Sequence, residues 1–520
     1  MSSGRSRSGA LQGMWSVPTR GVLRNLPIYL LPPDALHDSL NVLVRDGALQ
    51  VRPGMAQIST TSLGSRPMGA YTTAAFALGG FQSDAFQNDA FQVGSDISAI
   101  VVVGTTRKIW YLSAGVFRDI TDTPLTGGAT SHVRMTSLQI GGTLWTLITN
   151  GVDTPRKWDG LSAQVQLVSG GPPLFTDVAT IADRVVGIVP PYKIQWGQAL
   201  SLDTWPSINV RLLADTPDSL VAIRNLGTMG GVVYKARSIW SIQPLGTTDA
   251  SFFRIDLRAL VPGPVSPAAL VEADGAHYYM TSKGRIGMYD GAGHRWVADG
   301  AWGVVRKDLD PGTMVRAFGV YESLFREVWF FYPRQGDNGE LRGGVVVCLP
   351  RPEEGIEQHI AFPFRMGAFV SAGTDLRLSD EGAMLLTAQS ALAFSLSDAA
   401  PTDEGGAPIS GYWQTGLVPA PEGIEHRIEG IETFAERGPG YGTLTVLPVY
   451  SYILDTPSGT QGPGATVDLS QSTPVYDTKG VDARGRFLGV RYSFPASLTL
   501  RWRGAVLDAR PVGVRQAPPR

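Results

Sequence analysis

The chain has 520 residues and a formal net charge of -2, so neither a strongly basic nor a strongly acidic surface is indicated for the protein as a whole. Its 62 glycines and 36 prolines, together with 43% hydrophobic residues, favour many short strands separated by turns and exclude a largely disordered chain. The length predicts two or three domains.

The chain has a single cysteine, Cys348, which excludes disulfides within the chain and therefore a small secreted disulfide scaffold. Cys348 follows three valines, and we expect it to be buried in a strand. No apolar run approaches the roughly 18 residues of a membrane span. The first residues lack the apolar segment of a signal peptide. We therefore expect the protein to be made and kept in a reducing compartment.

Residues 1–96 are predicted to form an N-terminal arm, a hairpin and a docking loop. The first 20 residues are rich in Ser, Gly and Arg and are expected to stay flexible until they meet a partner. We predict a short strand at Leu26–Pro33 and one or two helical turns at Ala35–Leu43. In Asn41–Met55, two apolar runs flank Asp46-Gly47, a pair that accepts the positive φ angles of a tight hairpin turn.

A five-residue reiteration follows, in which Phe-Gln occurs three times between residues 81 and 95. A phenylalanine at every fifth residue matches neither the helical nor the strand period. We predict a loop or extended arm whose phenylalanines dock on a neighbouring subunit; a specific ligand-binding role is the alternative. The candidate subunit-contact residues are Phe81, Phe86 and Phe91.

Apolar strands that end in an aromatic residue recur from residue 97 to residue 400. One aromatic marker per unit gives a spacing of about 44 residues, which is typical of the four-stranded blades of a β-propeller. We therefore predict an all-β fold with a propeller-like body of six or seven divergent blades across 97–400; a large array of β-sandwiches is the alternative. The markers are Trp110, Trp158, Trp196, Trp240, Tyr289 and Trp329.

Residues 401–520 are predicted to form a separate C-terminal β domain with a sandwich-like fold. Alternation is clearest in Ser497–Trp502, where Leu498, Leu500 and Trp502 share one face of the predicted strand. The opposite face carries arginines. We expect that face to lie in solvent or against a partner.

The C-terminal stretch has a local excess of positive charge. Residues 484–520 carry eight arginines against the single Asp508. We predict that these arginines belong to a solvated tail; contact with a partner that has an anionic surface is the alternative. The candidate basic residues are Arg501, Arg503, Arg510 and Arg515.

The motifs of common enzyme and metal sites are missing from the sequence. Six histidines are scattered without a pair at zinc-ligand spacing, and neither a phosphate-binding glycine loop nor a serine-nucleophile elbow occurs. Asp308–Gly312 and Gly336–Glu340 are predicted to be turns rather than calcium loops. We therefore predict no catalytic residue, no cofactor and no metal, and do not expect an enzyme. A pair of carboxylates that converges in space stays open.

Several phrases of the chain resemble one family of virion proteins. The phrases are Asn41–Met55, the reiterated Phe-Gln segment, Asp183–Val186 with Ile194–Trp196, Trp205-Pro206, Val232–Trp240, Tyr412–Gly416 and Arg510–Arg515. The chain resembles the tail nozzle proteins of short-tailed phages, also called tail tubular protein B or packaged-DNA stabilisation protein. The resemblance covers most of the chain and rests on these short sequence motifs.

The resemblance implies a structural virion protein of the phage tail, assembled in the host cytoplasm. It implies a ring, usually a homo-hexamer, below the portal and its head-to-tail adaptor protein. Such a ring retains packaged double-stranded DNA in a channel, by non-specific contact, and lets it pass during genome ejection. Tail fibre or spike proteins, and the host cell surface, are further partners that the resemblance implies.

Two other functions remain open at this point. A tail-tip host-recognition or glycan-binding propeller would expose aromatic residues in loops between blades. A propeller hydrolase acting on surface polysaccharide would gather carboxylates in the central pocket.

Overall fold

The computed structural model describes residues 11–75, 98–227, 230–246, 252–376, 382–421, 424–437, 442–453, 459–469, 475–479, 481, 483–495 and 500–512. These residues form an all-β protein with two parts, a seven-bladed β-propeller and a two-sheet β-sandwich. Among them, the single α-helix is Asp299–Asp308 (α1). No helix in these ranges is long and apolar enough to cross a membrane.

The N-terminal strands are short and connected by turns. Strand β2 replaces the predicted helical turns at Ala35–Leu43, and a 3-10 turn at Ile28–Leu30 replaces the predicted strand at Leu26–Pro33. The predicted hairpin is confirmed, since Asp46 and Gly47 join two paired strands with φ angles of 49° and 65°. These strands are β1 (Leu11–Ser16), β2 (Leu36–Leu40), β3 (Val42–Arg45), β4 (Ala48–Val51) and β5 (Gly54–Gln57).

Five blades are four-stranded antiparallel sheets in which successive strands pair. Blade 1 contains β6 (Pro67–Ala75), β7 (Ser98–Thr105), β8 (Ile109–Ser113) and β9 (Val116–Asp119). Blade 2 contains β10 (Arg134–Ile140), β11 (Thr143–Thr149), β12 (Arg156–Trp158) and β13 (Gln166–Leu167). Blade 3 contains β14 (Asp177–Ile181), β15 (Arg184–Val189), β16 (Lys193–Trp196) and β17 (Val210–Leu212).

Blades 4 and 5 follow the same plan. Blade 4 contains β18 (Leu220–Leu226), β19 (Gly230–Lys235), β20 (Ile239–Pro244) and β21 (Phe253–Ala259). Blade 5 contains β22 (Leu270–Ala273), β23 (Ala276–Met280), β24 (Ile286–Tyr289) and β25 (His294–Val297). Helix α1 follows blade 5 and packs Ala301 and Val305 into the core that this blade shares with blade 6.

Blades 6 and 7 are joined because one long strand serves both. The strands are β26 (Phe318–Glu322), β27 (Glu327–Pro333), β28 (Leu341–Cys348), β29 (Ile360–Thr374), β30 (Met384–Thr387) and β31 (Ala393–Ser397). The first part of β29 pairs with β28 in blade 6, and the last part, from Val370, pairs with β30 in blade 7. The outer strand of blade 7 is β5, which pairs with β31. A strand from the N-terminal region therefore closes the propeller ring.

The remaining strands form the sandwich. They are β32 (Gly411–Thr415), β33 (Val418–Pro419), β34 (His426–Arg437), β35 (Thr443–Ser451), β36 (Thr460–Gln461), β37 (Ala465–Asp468), β38 (Val475–Lys479), β39 (Arg484–Gly485), β40 (Phe487–Phe494) and β41 (Leu500–Pro511). One sheet has the order β3-β4-β41-β34-β38, and the other β2-β32-β40-β35-β36. Between them the Trp413 ring stacks on Tyr492 at 4.9 Å and meets Trp502 at 6.0 Å.

The two parts of the molecule do not follow the predicted boundaries. Residue 97 was expected to start the propeller, but β6 pairs with β7, with Ala75 opposite Ser98, so blade 1 begins earlier. Strands β1 to β4 belong to the same sandwich as the strands after residue 410. Local pattern could not show this, because the paired strands lie hundreds of residues apart in the sequence.

The aromatic markers occupy equivalent places in most blades. Five of them lie on the third strand of blades 1 to 5, and their shared position explains their spacing. Trp329 is the exception, since it lies on the second strand of blade 6. Blade 7 contains none of the six markers. The five on third strands are Trp110, Trp158, Trp196, Trp240 and Tyr289.

Candidate functional site

The propeller axis contains a cavity of about 490 Å³, lined by the inner strands of all seven blades. Its size lies within the usual range for small-molecule sites, about 300–1,000 Å³. The lining is mixed, with charged, hydroxyl and aliphatic groups. The charged residues of the lining are Arg134, Arg224, Glu272 and Asp375.

Ionic contacts tie several blades together beside this cavity. Asp177 of blade 3 is fully buried and accepts hydrogen bonds from Arg134 Nε of blade 2 (3.1 Å) and Arg224 Nη1 of blade 4 (2.6 Å). Arg224 also donates to the carbonyl of Pro267 (2.8 Å), just before blade 5. Both arginines of the cavity therefore join neighbouring blades, which is a structural role.

Carboxylates of the lining do not by themselves define a hydrolase site. Glu272 and Asp375 lie on different blades, and Asp375 accepts a hydrogen bond from the Ser323 hydroxyl at 3.0 Å. In the described ranges, no group of three or more His, Cys, Asp or Glu residues is placed to hold a metal ion. The predicted turn at Gly336–Glu340 is confirmed, whereas Asp308–Gly312 begins with the last residue of α1 and becomes a turn only from Pro311.

A buried clamp joins the sandwich to blade 7, and Arg52 is its centre. Arg52 is 3% exposed and uses all five of its N–H groups. Two bonds go to Asp403, at 2.9 and 2.5 Å, and one goes to the Asn41 side chain at 3.1 Å. The other two go to the carbonyls of Pro53 and Arg365. The contact links the segment just before β5 to the chain that follows the last blade.

A second buried arginine repeats this arrangement at blade 6. Arg45, which is 2% exposed, binds Glu327 through two parallel hydrogen bonds of 2.9 and 2.8 Å. A third bond of 2.7 Å reaches Asp398 beyond β31, and the guanidinium stacks on Phe325 at 3.8 Å. Arg45 ends β3 of the sandwich, whereas Glu327 begins β27 of the propeller. Two-point pairing of this kind fixes position as well as charge.

The closing strand β5 begins at a residue that must be glycine. A Cβ atom on Gly54 would lie 2.4 Å from the carbonyl oxygens of Ala400 and Thr402. The Gly54 amide donates to Ala400, and the Met55 amide donates to Thr402. Close backbone contact therefore needs the missing side chain. Arg45, Arg52 and Gly54 all belong to the phrase Asn41–Met55.

The phrase Val232–Trp240 contains a buried cation. Lys235 is 0% exposed, and its amino group donates to the carbonyls of Leu213 and Thr216 at 2.9 and 2.8 Å. It also bonds the Thr216 hydroxyl at 2.7 Å and lies 3.4 Å from Asp218. The basic residue that interrupts this apolar strand thus holds the connection between blades 3 and 4.

A buried polar pair lies between blades 4 and 5. His277 Nδ1 is 2.9 Å from the Tyr234 hydroxyl, and Nε2 is 2.7 Å from the Asn225 carbonyl. Because a carbonyl can only accept, Nε2 carries the proton and Tyr234 donates to Nδ1. Burial lowers the pKa of His277 to about 4, so the ring is neutral at physiological pH.

Three of the four predicted basic residues lie on the outer face of β41, and each of these three lies close to an acidic residue of the same chain. Arg501 lies 3.5 Å from Asp46, Arg503 lies 2.8 Å from Glu436, and Arg510 lies 2.7 Å from Glu429. Arg515 falls outside the described residues, as do Phe81, Phe86 and Phe91. Contact of these residues with a partner stays a prediction.

Sequence reasoning missed the residues that hold the propeller closed. The signal was present in Asn41–Met55, where Arg45 ends the apolar strand β3 and Arg52 directly follows β4. Cys348 was predicted correctly to be buried in a strand, where burial raises the pKa of its thiol far above the ordinary value. A reactive thiolate is therefore not available at neutral pH.

Comparisons with known proteins add only distant likenesses in fold. No protein-family model and no curated protein matches the sequence. Virginiamycin B lyase from Staphylococcus aureus is 11% identical with a TM-score of 0.41, covering 69% of this chain and 98% of the lyase. YCF48 from Cyanidioschyzon merolae is 10% identical with a TM-score of 0.35, covering 51% and 82%. The WD40 domain of SCAP from fission yeast is 8% identical with a TM-score of 0.32, covering 57% and 82%. At such low scores the propeller fold rests on the sheet topology, and these likenesses carry no functional argument.

Proposed function

We propose that this β-propeller protein is a structural component of a phage tail, forming a nozzle-like ring that retains packaged DNA and lets it pass during ejection. The proposal starts from the resemblance to tail nozzle proteins. The structural observation that supports it is the locked closure of the propeller. Because β4 belongs to the sandwich and β5 to blade 7, the ring of blades cannot open without disturbing both parts.

Buried ion pairs strengthen this closure in a way that suits a load-bearing part. Arg52 and Asp403 are each 1% exposed at the side chain, and Arg45 and Glu327 are 3% and 0% exposed. Such pairs resist separation, since pulling them apart leaves an uncompensated buried charge. Mechanical rigidity, rather than chemistry, is what a protein that surrounds pressurised DNA needs.

The size of the axial cavity determines where DNA would pass. A space of about 490 Å³ has room for a small molecule and not for a duplex. In the proposed ring, the DNA channel therefore lies between subunits and not along the axis of one propeller. The described arginines of β41 pair with acids, which would limit the grip on sliding DNA.

The proposal is tested by the mass of the full chain in solution, measured by light scattering with and without the head-to-tail adaptor complex of the same virion. We expect six copies in a closed ring, either alone or on the adaptor. A chain that stays a monomer of 55.6 kDa in both samples would contradict the proposal.

A host-recognition propeller that binds glycans is the second candidate, and the axial cavity is the observation that favours it. Its volume and its mixed lining of Arg134, Arg224, Glu272 and Tyr321 suit a small polar ligand such as a sugar unit. A glycan array tests this candidate. Glycan binding that is lost in Glu272→Gln, by a chain that forms no ring, would favour host recognition over the nozzle. Cleavage of the bound glycan would indicate a hydrolase.

A further inference from the structure

A second and larger cavity lies where the sandwich meets blade 6 and helix α1. Its volume is about 790 Å³, within the range of small-molecule sites. Five parts of the chain build its wall: residues 24–28, strand β2, helix α1, the blade 6 strands β27 and β29, and strand β32. The apolar and aromatic part of the lining comprises Leu26, Pro27, Ile28, Leu40, Val304, Tyr332, Pro363, Phe364 and Tyr412.

Three cations line this cavity from three different elements. Arg24 comes from the N-terminal segment, Lys307 from α1 and Arg365 from β29. Arg24 forms an ion pair with Asp38. Within the described part of the chain, neither Lys307 nor Arg365 forms an ion pair, although the lining contains an acid. That acid, Asp308, is already bound to Arg334 at 2.6 Å.

Arg365 lies close to other charged side chains of the propeller. Burial and the nearby guanidinium groups of Arg334 and Arg342 lower the pKa of Arg365 below its ordinary value. An arginine normally gains, rather than loses, proton affinity from its partners in a folded protein. The carboxylates of Asp308 and Asp337 act in the opposite direction, and among the described residues Arg365 forms an ion pair with neither of them.

Unsatisfied polar groups at the wall provide an independent indication. Ser39 is 1% exposed and lines the cavity, yet its hydroxyl has no hydrogen-bond partner among the described residues. The Nε of Arg24 is buried and equally without an acceptor. A buried hydroxyl or N–H that finds no partner is costly, and a bound acceptor would remove the cost.

We propose that this junction cavity binds a small organic anion, a carboxylate or phosphate group carried on an apolar or aromatic body. The anionic group lies against Lys307 and Arg365 and accepts hydrogen bonds from Ser39 and Arg24. The apolar body lies along Ile28, Val304 and Phe364. Because the wall includes β2, α1 and β29, an occupant bridges the sandwich and the propeller and stabilises their contact.

Isothermal titration of the full chain at low ionic strength tests the proposal with phenyl phosphate and benzoate as probes. These two probes separate phosphate from carboxylate recognition. Inorganic phosphate serves as a third probe, and we expect it to bind about tenfold more weakly than phenyl phosphate because it lacks the apolar body. We expect one site per chain.

Variants at the cavity wall give the decisive comparison. We expect Lys307→Gln and Arg365→Gln each to raise the Kd of the bound probe about tenfold or more, since each removes a charge-assisted hydrogen bond. Ser39→Ala is expected to raise it by about threefold. The matched control is Arg306→Gln, which removes the same charge from the next residue of α1 outside the cavity lining.

Each outcome either supports or overturns the proposed site. Unchanged thermal midpoints in all variants, with binding lost only at the cavity wall, would support the site. Absence of binding by both organic probes would overturn the proposal, and so would equal weakening by Arg306→Gln, which would indicate general charge attraction. The test is independent of the ring, because it uses the chain alone and a small probe.

Discussion

Arg52 and Asp403 form an ion pair with both side chains 1% exposed, across 351 residues of sequence. Arg52 stands just before the strand that closes blade 7, and Asp403 stands just after the last blade. The pair therefore fastens the two chain segments that leave the propeller where the ring closes. Asn41 supports it, since its Oδ1 accepts from both Arg52 Nε and the Arg365 amide.

Breaking this pair should destabilise the protein strongly. Arg52→Met leaves Asp403 buried without its cation, and loss of one partner of a buried pair typically costs about 3–5 kcal/mol of unfolding free energy. Urea denaturation followed by tryptophan fluorescence measures the change. Arg510→Met, which removes an exposed partner of Glu429, should leave the transition midpoint almost unchanged. Equal shifts of the midpoint in both variants would show that the buried Arg52–Asp403 pair contributes no more to stability than the exposed pair.

Closure of blade 7 can be tested at Gly54 without changing a charge. In Gly54→Ala, the added methyl group meets two carbonyl oxygens at 2.4 Å, and overpacking of this kind costs about 1–3 kcal/mol. Gly293→Ala is the control, since nothing lies within 4 Å of a Cβ at that position. Thermal unfolding should show a lower midpoint for the first variant only. A neutral Gly54→Ala would mean that β5 does not lie against the segment at residues 400–402.

Lys235 offers a test of the connection between blades 3 and 4. Lys235→Met keeps most of the apolar side chain but leaves the carbonyls of Leu213 and Thr216 without a donor. We expect a loss of about 3 kcal/mol in the free energy of unfolding, measured by urea titration. Lys283→Met, on an exposed residue, should change stability little. A gain in stability at Lys235→Met would show that burial of the charge outweighs its four contacts.

Acid should weaken the interface between blades 4 and 5 through His277. Its folded-state pKa of about 4 lies below the ordinary 6.5, so the neutral ring stabilises the fold above pH 6.5, and this contribution is lost as the pH falls toward 4. At pH 5 the loss from this group is about 2 kcal/mol, at about 1.4 kcal/mol per pH unit.

Urea denaturation at pH 7 and pH 5 measures this loss. His277→Gln, which cannot be protonated, should lose less stability on acidification than the unmodified chain. Tyr234→Phe keeps the imidazole and should remain acid-sensitive. If all three proteins lose the same free energy between the two pH values, His277 is not the responsible group.

The sequence predicted those features that depend on short-range pattern. Asp46-Gly47 predicted its hairpin because positive φ angles are a local requirement. The third-strand aromatics predicted a propeller because each blade repeats a similar packing position. Cys348 was predicted to be buried from its neighbouring valines alone. In all three, the residues that decide the structure are neighbours in the chain.

Features that depend on distant partners could not be predicted in the same way. Strands β1, β2 and β4 pair with strands hundreds of residues later in the sequence, and this tertiary pairing made Ala35–Leu43 extended rather than helical. Among the cations of the junction cavity, Arg24 is separated in sequence from Lys307 and Arg365 by blades 1 to 5, and strands of blade 6 separate Lys307 from Arg365. Nothing in the local pattern relates them, so neither the cavity nor the clamp could be derived before the fold.

The most direct test of the proposed function is electron microscopy of the full chain mixed with the head-to-tail adaptor complex. The account predicts six-fold class averages in which an open hole lies between subunits, because the axial cavity of one propeller has a volume of only about 490 Å³. Separate single-propeller particles that never join the adaptor would contradict it.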